Sequence, residues 1–96
     1  MGRLDQRVAI VTGAAHGERA ALGASFALAL AREGAHVVVA DICDTASVAR
    51  EIALAGGSAR AVTVDVCDES SIRTMVDAAI AHFGQIDILV NNAAIG

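Results

Sequence analysis

Four short apolar runs alternate with three helical patterns along this chain, and that alternation constrains its fold more than any other feature. Residues Val8–Thr12 (VAIVT), His36–Asp41 (HVVVAD), 59–66 (ARAVTVDV) and 86–90 (IDILV) are rich in β-branched and aliphatic side chains. Such runs suit strands buried on both faces of a parallel sheet. A Gly/Ala turn at 13–17 leads into a first helix running to Glu33, with Leu22, Phe26, Ala29 and Leu30 as its expected inner face and Gly34 as its left-handed cap. Asp44 is placed to cap a second helix that faces inward with Val48, Ile52 and Ala55 and ends at Gly56-Gly57. Asp68 is placed to cap a third, in which Ile72, Met75, Val76, Ala79, Ile80 and Phe83 form a helical stripe before Gly84. Strand–helix–strand units at this spacing imply right-handed crossovers and a parallel sheet in the order 3-2-1-4.

With 96 residues the chain is expected to form one domain, 1–96. At 55% hydrophobic and 19% charged residues it has ample apolar surface to bury. Net charge is −4 and no basic run occurs, which argues against a nucleic-acid partner. The longest uncharged apolar stretch, residues 20–31, is 12 residues between Arg19 and Arg32. A span needs about 20, so a buried helix is expected and no membrane partner. Neither a signal-peptide layout nor a ligand spacing for Cys43 and Cys67 is present, so both are expected to be reduced thiols in a cytoplasmic protein. The three histidines and two cysteines share no metal-ligand spacing, and His36 and His82 are expected at the surface or a strand edge. All seven basic residues are Arg, and Tyr is absent. That excludes Schiff-base chemistry, a P-loop lysine and any Tyr acid/base from these residues.

Ligands of open parallel sheets bind beyond the carboxyl ends of the strands, where the strand order reverses. There the chain reads Thr12-Gly13-Ala14-Ala15-His16-Gly17 before an Ala-rich helix. Glycines after a first strand let the backbone approach a pyrophosphate, which the next helix meets with its free N–H groups. This segment, with VAIVTGAAHG at 8–17 and ALALAREGAHVVVA at 27–40, resembles the start of a short-chain dehydrogenase/reductase. Thr12, Gly13 and Gly17 match three fixed places of that family's T-G-x-x-x-G-x-G fingerprint, whereas Arg19 stands where the last glycine belongs. Gly23 lies 11 residues before Gly34, the family's usual distance, so Leu22-Gly23 reads as the apolar-Gly pair displaced by a four-residue insertion at 18–21. Those residues either add about one helical turn or bulge beside the phosphates.

The resemblance implies further cofactor contacts. Asp41, ending the second strand, takes the place of the acid that bonds the adenosine ribose hydroxyls and repels a 2′-phosphate. His16 and Ile42 stand where NADP-preferring relatives carry a basic residue, so NAD is expected over NADP, with Arg19 the one cation able to reverse that preference. Asp65-Val66 resembles the pair that contacts the adenine. Asn91-Asn92-Ala93-Ala94 resembles the N-N-A-G motif, whose asparagines stabilise the central strand and line the adenosine-ribose side, with Asn91 and Ala93 as the implied cofactor contacts. The cofactor set is thus Gly13, Gly17, Leu22, Gly23, Asp41, Asp65, Val66, Asn91 and Ala93, with no catalytic and no metal residues.

The resemblance also implies a Rossmann-like α/β portion, incomplete against the family pattern and cut after the fourth strand. The family's Ser, Tyr and Lys, which carry the chemistry, belong further along that pattern. The expectation is therefore the NAD(P)-binding part of an oxidoreductase that moves hydride between a nicotinamide cofactor and an alcohol or ketone, with no turnover by these 96 residues. The alternative is a non-catalytic nucleotide-binding module. The N-N-A-A motif and the three-residue gap between Gly13 and Gly17 weigh against a nucleotide-sugar epimerase of the extended branch. The fourth strand is expected to present an open apolar edge at which the chain self-associates.

Overall fold

A computed structural model describes residues 3–14 and 21–92. In chain order the elements are β1 Val8–Thr12, α1 Ala21–Arg32, β2 His36–Asp41, α2 Ala46–Leu54, β3 Ser58–Thr63, α3 Glu69–Phe83 and β4 Ile88–Asn91. The sheet runs β3-β2-β1-β4 and every pair is parallel. This is the expected 3-2-1-4 order.

Alternation along the two inner strands builds two apolar layers. Val11, Val37 and Val39 face α1 and α2, where they meet Ala24, Ala27, Val48 and Ile52. Ile10, Val38 and Ala40 face the other way, onto Met75 and Ala79 of α3. All of β1 is buried, which is why VAIVT carries no polar alternation. Val90 of β4 joins the α1 side, whereas Leu89 is 61% exposed.

Several local expectations are corrected. The buried side of α1 is Gly23, Ala24 and Ala27, not the larger residues, and Leu22 and Phe26 are 58% and 41% exposed. The helix approaches the sheet too closely for leucine or phenylalanine beneath it. Ala29 is likewise exposed, although Leu30 packs partly against the core. On α2, Val48 and Ile52 are buried as expected, but Ala55 lies past the last turn and is exposed. On α3, Ile80 is 48% exposed while the rest of its stripe packs inward.

The strand ends shift as well. β3 stops at Thr63 because its partner β2 ends at Asp41, the residue in register with it. Val64 makes one more bond, N–H to Asp41 O at 2.9 Å, before the chain turns away. β4 begins at Ile88 and continues through Asn91, paired with Thr12. Helix punctuation follows the sequence more closely: Gly34, Gly56 and Gly84 have φ of 98°, 89° and 87°. The Asp68 carboxylate accepts the Ser70 N–H at 3.0 Å. Asp44 accepts the Ala46 N–H at 2.9 Å, while the buried Thr45 hydroxyl turns inward and donates to Val39 O at 2.8 Å.

At the amino ends of the strands, Arg7, Gln85 and Asp87 form a cluster. The Asp87 carboxylate accepts the Val8 N–H at 2.9 Å and the Gln85 side-chain amide at 2.7 Å, and pairs with Arg7 at 3.4 Å. Those bonds, the Val8 N–H foremost, hold its pKa below the ordinary 3.8. His36 opens β2, is half-buried and stacks on Phe83, their ring centroids 5.1 Å apart. His82 is exposed and meets Phe83 edge-on.

Candidate cofactor-binding edge

The carboxyl ends of the four strands come together on one side of the sheet, and the residues just past them can be placed one by one. Thr12 closes β1, is buried, and anchors the end of β4. Its hydroxyl donates to Asn91 Oδ1 at 3.0 Å and accepts the Asn92 N–H at 3.2 Å. Gly13 follows with φ 68°, a conformation that glycine adopts without strain. The turn brings Ala14 N–H to Ala40 O at 3.2 Å, tying the start of the loop to β2.

Gly23 packs directly on this turn. A β-carbon there would overlap Gly13 O and sit 2.8 Å from Asn92 Nδ2. No side chain fits, so α1 is held against the β1 turn by backbone contact. The Asn92 amide reinforces the arrangement by donating to Gly13 O at 3.2 Å. The sequence singled out Gly13, Gly23 and Asn91 here, and the structure brings all three together. Asn92, the second asparagine of the Asn-Asn-Ala-Ala motif, supplies the bond to Gly13 O, a partner that the motif alone did not specify. Leu22, next to Gly23, points outward and is exposed. Gly17, Ala93 and most of the insertion at 18–21 lie outside the described residues.

The turns after β2 and β3 repeat one design. The half-buried Asp41 accepts the Cys43 N–H at 2.9 Å through Oδ1, and Asp65 accepts the Cys67 N–H at 2.9 Å in the same way. Each turn then spends a second aspartate, Asp44 or Asp68, on the start of the next helix. Asp41 and Asp65 are therefore not helix caps. The Asp65 N–H goes to Ser71 Oγ at 2.8 Å, and Val66 packs partly against the α3 side of the core. The bond from Val64 N–H to Asp41 O sets the two turns side by side. Sequence reading missed this duplication, although the segments DICD and DVCD display it. Four carboxylates, those of Asp41, Asp44, Asp65 and Asp68, border this end of the sheet. Among the described residues, no group of three His, Cys, Asp or Glu side chains is placed to hold a metal, and no helix is long and apolar enough to cross a membrane.

A parallel 3-2-1-4 sheet, a left-handed glycine after its first strand and a helix glycine packed on that turn define a Rossmann-type α/β protein. The family model of the short chain dehydrogenases matches residues 7–96, and the chain belongs to that family. It is 50% identical to galactitol 2-dehydrogenase of Agrobacterium fabrum over 93 residues, covering 97% of this chain and 34% of that enzyme. Among solved structures, a short chain dehydrogenase from Mycobacterium avium superimposes with a TM-score of 0.91 at 42% identity, over 99% of this chain and 35% of that one. A hydroxysteroid dehydrogenase from Escherichia coli gives 0.89 at 41% identity, over 97% and 39%. The chain spans about a third of the length of the curated relatives it matches.

Proposed function

We propose that this chain is the NAD-binding part of a short-chain dehydrogenase and that the carboxyl edge of its sheet holds the adenosine and pyrophosphate of the cofactor. The observation that carries this reading is the seat of Gly23 on Gly13 O, which closes α1 onto the β1 turn as a phosphate-binding crossover requires. Gly13, Gly17, Leu22 and Gly23 border the pyrophosphate. Asp41 accepts hydrogen bonds from the ribose hydroxyls, Asp65 and Val66 take the adenine, and Asn91, at the end of β4, lines the ribose side together with Ala93. A bound nicotinamide supplies the hydride donor or acceptor for an alcohol or ketone.

These residues bind and orient. With neither Tyr nor Lys among the 96, the chain has no residue of the kinds the family uses for proton transfer, and it does not turn over by itself. The acids around Asp41 favour NAD over NADP. Two exposed, free thiols support a reducing, cytoplasmic setting. β4 pairs with β1 alone among the described strands, so its other edge is where the chain self-associates.

Isothermal titration of the chain with NAD and with NADP tests the reading. Saturable NAD binding, tighter than NADP, is expected. No heat of binding with either nucleotide refutes it, and tighter NADP binding refutes the assignment of Asp41.

A further inference from the structure

The chain has two cysteines, and both occupy the third position of the duplicated aspartate turn. Free cysteine is ordinarily among the most buried residue types, used as a small apolar filler. Here both are exposed, so packing accounts for neither. In each turn the cysteine N–H is fixed to the carboxylate two residues earlier, Asp41 for Cys43 and Asp65 for Cys67. Those carboxylates are the two assigned to the adenosine, one on the ribose side and one on the adenine side. The bond from Val64 N–H to Asp41 O holds the two turns next to each other at the sheet edge. Two thiol-bearing residues therefore stand in adjoining turns, each held through its backbone N–H to one of the two assigned contact residues.

We propose that Cys43 and Cys67 are a paired thiol-modification site at the adenosine end, at which mixed-disulfide formation with a low-molecular-weight disulfide and dinucleotide binding exclude one another. The inference rests on the reading of Asp41 and Asp65 as adenosine contacts. In the reaction, a cysteine thiol gives its proton to solvent and the thiolate sulfur attacks one sulfur of the small disulfide. The S–S bond of the reagent breaks, a protein–reagent S–S bond forms, and the second half leaves as a thiolate. The small disulfide is the oxidant and becomes half reduced. The attached group then occupies the space beside Asp41 or Asp65. Added thiol reverses the step by the same exchange.

The test reacts the whole chain with an aromatic disulfide whose released thiolate absorbs visible light, with and without nucleotide, while calorimetry measures binding in parallel. Two thiols per chain are expected to react. NAD, and AMP as the adenosine half alone, are expected to slow both, by about tenfold or more once the nucleotide stands well above its Kd. The modified chain is expected to lose NAD affinity and to regain it on reduction. Cys43→Ser and Cys67→Ser each leave one protected thiol, and the double variant keeps its NAD affinity through the same treatment. Unchanged thiol rates in a chain that calorimetry shows to be saturated with NAD overturn the inference and leave the cofactor reading intact. Equal loss of affinity in the treated double variant also overturns it. Absence of nucleotide binding to the unmodified chain overturns the proposed function itself, and the inference with it.

Discussion

Replacing Gly23 with alanine adds one methyl group to the chain and tests the closest contact in the proposed site. The new β-carbon would overlap Gly13 O and lie 2.8 Å from Asn92 Nδ2. Its neighbour is backbone on a buried turn, so relief requires α1 to lift or the Gly13 turn to shift. Overpacking of this kind costs typically about 1–3 kcal/mol. The Asn92 bond to Gly13 O, worth about 0.5–1.5 kcal/mol, is strained at the same time. Alanine returns up to about 1 kcal/mol through its higher helix propensity. The net expectation is a loss of about 1–3 kcal/mol, a large share of the stability of a small domain. Urea unfolding followed by circular dichroism should show the midpoint fall at unchanged slope. NAD affinity should fall further than in Gly56→Ala, a control with nothing within 4 Å of the added carbon and only its φ of 89° to strain. An unchanged or raised midpoint for Gly23→Ala would mean that helix propensity alone acts, and that α1 is not seated on the β1 turn.

Other substitutions probe the remaining parts. Asp41→Ala should weaken NAD by about ten- to a hundredfold, the value of hydrogen bonds to a charged acceptor, and narrow the gap to NADP; competition titration measures both. Asp87 has a depressed pKa, so its stabilising effect is complete well above the ordinary 3.8 and is lost as pH falls through its lower folded value. Asp87→Asn should therefore flatten the acid limb of stability against pH, and an identical limb in the variant counts against the Val8 and Arg7 bonds. Leu89, 61% exposed on β4, should support self-association. Leu89→Lys should shift sedimentation towards the single chain, and no shift places the contact elsewhere.

Much of this architecture was legible because its signals are strong and local. Runs such as VAIVT and HVVVA have no polar alternation, so they had to be buried on both faces, and the parallel order followed. Aspartates opened the second and third helices, and left-handed glycines followed the helix ends, where expected. The inner face of α1 was not legible because the helix is apolar on nearly every side, and its leucines and phenylalanine outweigh alanine in any stripe. The side that packs is chosen by the sheet, which fully buries Gly23, Ala24 and Ala27 and leaves Leu28, Leu30 and Ala31 packed only in part. Strand ends were misplaced because a strand is as long as its partner allows: 64–66 still reads as strand, but β2 has ended. At the site, single residues such as Asp41 and Asp65 were visible from position. The Asn92 brace on Gly13 and the paired cysteines depend on neighbours in space, to which spacing along the chain is blind.

The contacts that join β1 to β4 bear on the order in which the molecule is made. Val8 and Asp87 meet across 79 residues of sequence, as do Thr12 and Asn91. At about 5–20 residues per second, a ribosome releases the first of these strands roughly 4–16 s before the second is available. During that interval β1 can pair with β2, but the backbone N–H and C=O groups on its other flank have no strand to bond. The strand that ends as the most enclosed is thus half-finished for longest during synthesis. Its safety in that window rests on how quickly β4 arrives, which makes translation speed over the segment between them a determinant of yield.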